Sequence, residues 1–246
     1  AAMCDDITEH ELDTYLKRTA MTRRGFAVGA SATLAAGGLV LSACAMPLPA
    51  PGTITESEVR VPTPDGEIDA LFIHPVSGAH AAVIIWPDIH GVRPAFFDMA
   101  RSLAGAGYSV IAANPYYRTH EGRLFGDGET IRSEGGREKV GPHYQALSPA
   151  TVKTDSAAIV AWLDAQDAVD SGRGIGAIGF CMTGSWTLRA AAALPERLKA
   201  PASFHGGGLV TDAGDSPPKL AGQMQGGVLI AIAAHDHERQ PEAHGQ

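Results

Sequence analysis

GIGAIGFCMTGSWTLRAAAAL, residues 174–194, joins an apolar run, one reactive side chain and a helix-forming run. Cys181 directly follows the apolar run, and the helix-forming run comes after the turn. This order is typical of a nucleophile elbow, the sharp turn that lifts a nucleophile above the edge of a sheet. Gly179 and Gly184 allow the backbone to crowd at such a turn. The segment therefore predicts a strand and a helix joined at Cys181.

The thiol of Cys181 is the candidate nucleophile of this turn. The N-terminus of the following helix places N–H groups and a positive dipole end beside the sulfur, which favours the thiolate. The same N–H groups can stabilise an oxyanion. The alternative interpretation is that Cys181 is a small buried residue closing a strand, which is common for cysteine. The local sequence favours the elbow and leaves the alternative open.

Composition and charge limit the class of protein. The chain has 246 residues, 45% of them hydrophobic and 19% charged, which suits one globular domain of ordinary size. A net charge of −8, with no basic stripe, argues against nucleic acid as a partner. Only three cysteines are present, and Cys4 and Cys44 precede the predicted domain. A disulfide framework is therefore not expected.

The N-terminal region looks like an export signal. Thr22-Arg23-Arg24-Gly25-Phe26 precedes a run of apolar and small residues at 27–41, which resembles a twin-arginine signal. The run is too short and too rich in Gly and Ala for a good spanning helix. We therefore expect the twin-arginine export machinery as a partner. The expected location is the periplasm or the outer side of the inner membrane.

Cys44 is a candidate lipidation site. Leu41-Ser42-Ala43-Cys44 resembles a lipobox, in which a lipid on the cysteine anchors the cleaved protein to a membrane. The alternative is an ordinary cleavage nearby, for instance after Ala43 or Ala45. The expected organisation is a leader at 1–45, a linker at 46–56 and an α/β domain at 57–246.

Apolar runs and turn residues predict strands that alternate with helices along the domain. The predicted strands cover 58–61, 68–73, 81–86, 108–113, 174–180, 202–205 and 227–233, and the predicted helices cover 93–106, 152–163 and 185–194. Such alternation implies a mostly parallel sheet with helices on both faces, whose site lies at the carboxyl ends of the strands. Residues 114–149 are predicted to form a long polar connection.

A glycine pattern at 174–179 spells a dinucleotide fingerprint, Gly-x-Gly-x-x-Gly. That fingerprint requires a strand before its first glycine and a helix at its last. Here the glycines lie inside the predicted strand, so no cofactor is expected.

Four further candidate residues follow predicted strands at the same edge of the sheet. The backbone N–H groups of Ile89 and Met182 are candidate oxyanion donors. Asp88 is a candidate to contact the thiol or the substrate, and the alternative is a turn that enters a helix. Arg118 is a candidate to pair with a substrate carboxylate, and the alternative is a solvated surface arginine.

Asp236 follows the last predicted strand, where elbow enzymes keep the acid that orients a histidine. A turn residue or a helix cap is the alternative. His235, His237 and His244 are candidate metal ligands. On an extended segment, the side chains of His235 and His237 would point the same way, which permits chelation. No strand-supported third ligand with familiar spacing accompanies them, so no metal is expected.

Together these residues resemble the dienelactone hydrolase family of α/β hydrolases, over about residues 59–236. The motifs that carry the resemblance lie at 86–92, 107–110, 114–118, 179–184 and 234–236. The resemblance implies the α/β-hydrolase fold and a small-molecule lactone or ester as substrate. It also implies Cys181 as nucleophile, Asp236 as the acid of a Cys-His-Asp triad, and Arg118 as the anchor of a lactone carboxylate.

Two departures from the family pattern affect these expectations. Asp88 stands where the family's dienelactone hydrolases carry Glu, which leaves thiolate activation and substrate choice open. The family's histidine lies on a loop after one more strand, so we expect that histidine and a final helix beyond Gln246. A general carboxylesterase or thioesterase of the same fold and a non-catalytic, exported, ligand-binding lipoprotein are the alternatives.

Overall fold

The structure is a computed structural model that describes residues 53–233. The predictions that concern Cys44, Asp236 and the histidines at 235, 237 and 244 lie outside the described residues. No helix within 53–233 has the length and apolar character needed to cross a bilayer.

The described residues form a seven-stranded mixed sheet in the order β1-β2-β4-β3-β5-β6-β7. The strands are β1 (Ile54–Thr63), β2 (Gly66–Pro75), β3 (Ala82–Trp86), β4 (Ser109–Ala113), β5 (Ile175–Phe180), β6 (Leu198–Phe204) and β7 (Leu229–Ala231). The helices are α1 (Pro94–Gly105), α2 (Gly136–Gln145), α3 (Pro149–Asp164), α4 (Gly184–Ala193) and α5 (Pro217–Leu220). β2 pairs antiparallel with β1 and β4, and all other pairings are parallel. The predicted α/β-hydrolase type of fold is confirmed.

Helices cover both faces of the sheet, as predicted. On one face, Phe96 of α1 packs in a buried cluster with Val83 and Ile85 of β3. On the other face, Ile159 of α3 packs in a second cluster with Ile84 of β3. Every residue of β3 is buried, which explains why its sequence is continuously apolar rather than alternating.

The connection at 114–149 differs from the prediction, because it contains α2. This helix has Gly at both positions 136 and 141 and an internal Pro142, so its sequence carries little helical signal. Its buried Val140 packs with Leu124, Phe125, Tyr116 and Met182 in a third apolar cluster. Tertiary packing over the end of β5 therefore stabilises a segment whose propensity is weak.

Candidate active site

Cys181 lies at the carboxyl end of β5, where it begins the single 3-10 turn Cys181–Thr183 that leads into α4. Its φ is 53°, in the left-handed region that residues with a Cβ seldom adopt. The side chain is buried. The predicted sequence of strand, sharp turn and helix is therefore present, with backbone strain located at the candidate nucleophile.

The glycines on either side of Cys181 are required by close backbone contacts. A Cβ on Gly179 would lie 2.9 Å from Cγ2 of Thr187 and closer still to the carbonyl of Thr183. A Cβ on Gly184 would lie 2.5 Å from Oγ of Ser203. The turn therefore reaches its tight geometry because neither position carries a side chain.

The hydroxyl of Thr183 connects the elbow to the neighbouring strand. Thr183 is fully buried. Its Oγ1 accepts a hydrogen bond from the N–H of Phe180 at 2.8 Å, and its one proton is shared between the carbonyls of Trp86 at 2.9 Å and Phe180 at 3.0 Å. Trp86 ends β3, and the residues after it form the second loop of the site. Thr183 therefore fixes the elbow relative to that loop.

The second loop is a tight turn at residues 88–91. The N–H of Gly91 donates to the carbonyl of Asp88 at 2.9 Å, and the N–H of His90 donates to Oδ1 of Asp88, also at 2.9 Å. Neither bond uses the N–H of Ile89. The N–H of Met182 lies in the first turn of a helix, where no preceding helical carbonyl can accept it. The two N–H groups that the sequence nominates as oxyanion donors thus lie on the two connected loops.

The carboxylate of Asp88 contacts Arg93, which the sequence analysis missed. Nη1 and Nη2 of Arg93 donate to Oδ1 and Oδ2 of Asp88, both at 2.7 Å. Burial opposes ionisation, but the hydrogen bonds from His90 and Arg93 outweigh burial and hold the pKa of Asp88 well below its usual range. These contacts are those of a turn that enters a helix. The only available signal was an arginine five residues after the acid, at the start of α1.

His90 connects the same turn to the connection at 114–149. Its Nε2 accepts the N–H of Ile131 at 3.2 Å. The proton of a neutral His90 ring therefore lies on Nδ1, which is 3.3 Å from Oδ1 of Asp88. The edge of the ring packs against Phe125. His90 thus holds the apolar cluster of the connection against the site.

Arg118 follows β4, as the sequence predicts, and its guanidinium binds two acids of the protein. Its Nη1 and Nη2 donate to Asp155 at 2.8 and 2.7 Å, and its Nε and Nη2 donate to Asp65 at 3.0 and 2.7 Å. Burial lowers the pKa of the guanidinium, but the hydrogen bonds to the two acids outweigh burial, and the pKa lies above its usual value. All three nitrogens are used, so Arg118 joins α3 to the β1–β2 turn. It is not a solvated surface arginine, and its pairing with a substrate carboxylate stays a prediction.

A nucleophile elbow on a mostly parallel sheet, with a second N–H-bearing loop beside it, defines a protein of the α/β-hydrolase type. The family model described as the dienelactone hydrolase family matches residues 68–244, and the chain belongs to that family.

Curated relatives are similar over part of their length. A candidate carboxymethylenebutenolidase of Methylorubrum extorquens is 31% identical over 163 residues, which are 66% of this chain and 52% of that protein. A carboxymethylenebutenolidase of Rhodococcus opacus is 26% identical over 152 residues, 62% of this chain and 54% of that protein. The chain therefore spans about half the length of these relatives.

Solved structures share the fold. A structure described as m3DLH has a TM-score of 0.59 at 30% identity, over 79% of this chain and 75% of that one. A candidate dienelactone hydrolase from Klebsiella pneumoniae has a TM-score of 0.61 at 24% identity, over 78% and 80% of the two chains. At 24% identity, the similarity to the Klebsiella pneumoniae structure shows a shared fold only.

Gly179→Ala tests the crowding at the elbow. We expect the free energy of unfolding to fall by about 3 kcal/mol, because the new Cβ meets backbone that cannot move aside. Urea unfolding measures the change. Gly105→Ala is the matched control, because a Cβ there meets nothing within 4 Å, and it should change stability by about 1 kcal/mol or less. Equal stabilities for the two variants would contradict the crowding.

Arg118→Ala tests whether this arginine is structural. We expect a loss of about 3 kcal/mol in unfolding free energy, because Asp155 would remain buried without its partner. Arg101→Ala is the control, since it breaks a surface pair with Glu56 and should cost about 1 kcal/mol or less. An unchanged stability together with a raised KM for carboxylate-bearing lactones would instead support the original prediction of a substrate anchor.

Proposed function

We propose that this chain is a hydrolase of the dienelactone hydrolase type, which opens a lactone or an ester through a thioester on Cys181. The observation that carries the proposal is the position of Cys181, strained at φ 53° on the turn between β5 and α4. Family membership supports a carboxylic ester hydrolase, as do relatives named carboxymethylenebutenolidase.

In the first half of the proposed reaction, the Cys181 thiolate attacks the carbonyl carbon of the substrate. A C–S bond forms, and the electron pair of the C=O bond moves onto oxygen. The N–H groups of Ile89 and Met182 stabilise that oxyanion, which exists only in the tetrahedral intermediate and the transition states beside it. Collapse of the intermediate breaks the C–O bond to the leaving group, which departs as an enolate or alkoxide and takes up a proton.

In the second half, water hydrolyses the thioester. Water adds to the thioester carbonyl, the C–S bond breaks, and the products are the carboxylic acid and the regenerated thiolate. We propose that Asp236 orients the histidine that takes the proton from this water. The same two N–H groups serve both halves, because each half passes through an oxyanion at the same carbonyl.

The contacts of Arg118 favour a second candidate, a general carboxylesterase that acts on neutral esters. Its guanidinium is held by Asp65 and Asp155, and the guanidinium of Arg93 is held by Asp88. A panel that compares a dienelactone with a neutral aryl ester separates the two. Preference for the dienelactone supports the first candidate, and preference for the neutral ester supports the second.

We further propose that the twin-arginine signal exports the domain to the periplasm or to the outer side of the inner membrane. Lipid on Cys44 would anchor it there. The twin-arginine route carries folded proteins, which suits a domain with a reactive thiol.

Cys181→Ala tests the nucleophile. We expect hydrolysis of a lactone or aryl ester to fall by about a thousandfold or more, because the covalent route is lost. Initial rates at saturating substrate give the comparison. Cys44→Ala is the matched control, the same substitution outside the predicted domain, and should keep the wild-type rate. Full activity in Cys181→Ala would refute the proposed mechanism.

The double variant Arg23→Lys and Arg24→Lys tests the export signal. We expect the full-length protein to stay in the cytoplasm, because the paired arginines are the feature that the twin-arginine machinery reads. Cell fractionation followed by immunoblotting locates the protein. Arg18→Lys, a matched change outside the pair, should leave export intact. Normal export of the double variant would show that another route is used.

A further inference from the structure

A buried tyrosine touches both loops of the candidate oxyanion site. Tyr116 follows β4 and is 1% exposed. Its hydroxyl donates to the carbonyl of Ile89 at 2.8 Å, and the same oxygen lies 3.4 Å from Sδ of Met182. Since a tyrosine has one hydroxyl proton, the bond to Ile89 is the directional one and the sulfur is a packing neighbour.

The turn at 88–91 is shaped around the ring of this tyrosine. Gly91 has a φ of 72°, and a Cβ there would lie 3.3 Å from Cδ2 of Tyr116. The ring therefore packs directly against the backbone of Gly91, while the hydroxyl binds the carbonyl of Ile89 at the other end. Ring and hydroxyl together hold the turn at two points.

Tyr116 is itself held firmly. Its N–H donates to Oδ1 of Asn114 at 2.9 Å, and Nδ2 of Asn114 donates to Oδ1 of Asp69 at 2.9 Å. Asn114 is fully buried at the end of β4. The tyrosine is thus anchored to the sheet, and through the sheet to β3 and β5.

The hydroxyl of Tyr116 lies among apolar side chains, where a polar group without a hydrogen bond is costly. Leu124, Phe125 and Val140 form an apolar cluster with Tyr116 and Met182. A buried hydroxyl destabilises such a cluster unless it makes a hydrogen bond, and Phe would fill nearly the same space without that cost. Burial raises the pKa of Tyr116 far above its usual value, and the negative charge of nearby Asp88 raises it further. The hydroxyl is therefore a permanent donor close to the candidate nucleophile.

We propose that Tyr116 is a positioning residue, which holds Ile89 beside Met182 so that their N–H groups reach the same oxyanion. The proposal rests on the proposed hydrolase function. Tyr116 acts through Ile89 and does not itself contact the reacting atoms. Its hydroxyl adds a link on the apolar side of the two loops, in addition to the one that Thr183 makes through the sheet.

Tyr116→Phe in the full chain tests this role, with 4-nitrophenyl acetate as substrate. We expect kcat to fall by about tenfold, which corresponds to the loss of one hydrogen bond that stabilises the transition state. KM should change by about twofold or less. The rate at which iodoacetamide alkylates Cys181 should change by about twofold or less, because the thiolate displaces iodide at the CH2 carbon and no oxyanion forms. A loss that came from general damage to the elbow would lower both rates together.

Tyr117→Phe is the matched control. Its hydroxyl also donates to a buried group, Oδ1 of Asp155 at 2.8 Å, but outside the two loops. We expect wild-type kcat in this variant. The proposal is overturned if kcat of Tyr116→Phe is unchanged, if alkylation falls by the same factor, or if Tyr117→Phe loses as much. A full-length wild-type protein without esterase activity overturns the proposed function as well, whereas an active wild type beside an unaffected Tyr116→Phe overturns this inference alone.

A second measurement needs no variant. A crystal structure of the wild-type chain with an aldehyde bound to Cys181 would show where the oxygen of the hemithioacetal lies. We expect it on the N–H groups of Ile89 and Met182, with the Tyr116 hydroxyl still on the carbonyl of Ile89. A Tyr116 hydroxyl bound directly to the adduct, or detached from Ile89, would contradict a positioning role.

Discussion

The hydroxyl of Thr183 is the contact on which the arrangement of the site depends. It accepts the N–H of Phe180 and donates to the carbonyl of Trp86, so one buried group connects the ends of β5 and β3. These strands are neighbours in the sheet, and each is followed by a loop that carries one candidate oxyanion donor. The Thr183 hydroxyl therefore helps to set the distance between the two loops, and the hydroxyl of Tyr116 on the carbonyl of Ile89 is a second contact between side chain and loop.

The site keeps its charges in pairs. Asp88 is bound by both terminal nitrogens of Arg93, and Arg118 is bound by Asp65 and Asp155. These pairs connect Asp88 to the start of α1, and Arg118 to α3 and the β1–β2 turn. An Asp at position 88 suits this use, because its short side chain also accepts the N–H of His90 in the turn. In the proposed mechanism, backbone dipoles of the described part of the site stabilise the developing negative charge.

Local sequence predicted the sheet and the elbow, because continuous apolar runs identify buried parallel strands, and Gly-x-Cys-x-x-Gly identifies a crowded turn. The contacts of Arg118 and Tyr116 could not be predicted from the local sequence. Asp65 and Asp155 lie 53 and 37 residues from Arg118, and only the folded chain brings them together. Helix α2 was missed because Gly136, Gly141 and Pro142 lower the helix propensity of a segment that tertiary packing stabilises. The pairing of Arg93 with Asp88 was missed because it depends on how the turn between the two residues folds.

Acylation of Cys181 is the central step of the proposed mechanism, and mass spectrometry of the rapidly quenched protein tests it directly. The full chain is mixed with an excess of 4-nitrophenyl acetate, quenched in acid and digested, and the acyl group is located by peptide mass. We expect one acetyl group on the peptide that contains Cys181, released by hydroxylamine as a thioester requires. An acetyl group on a different residue, or product release with Cys181 never acylated, would contradict the account.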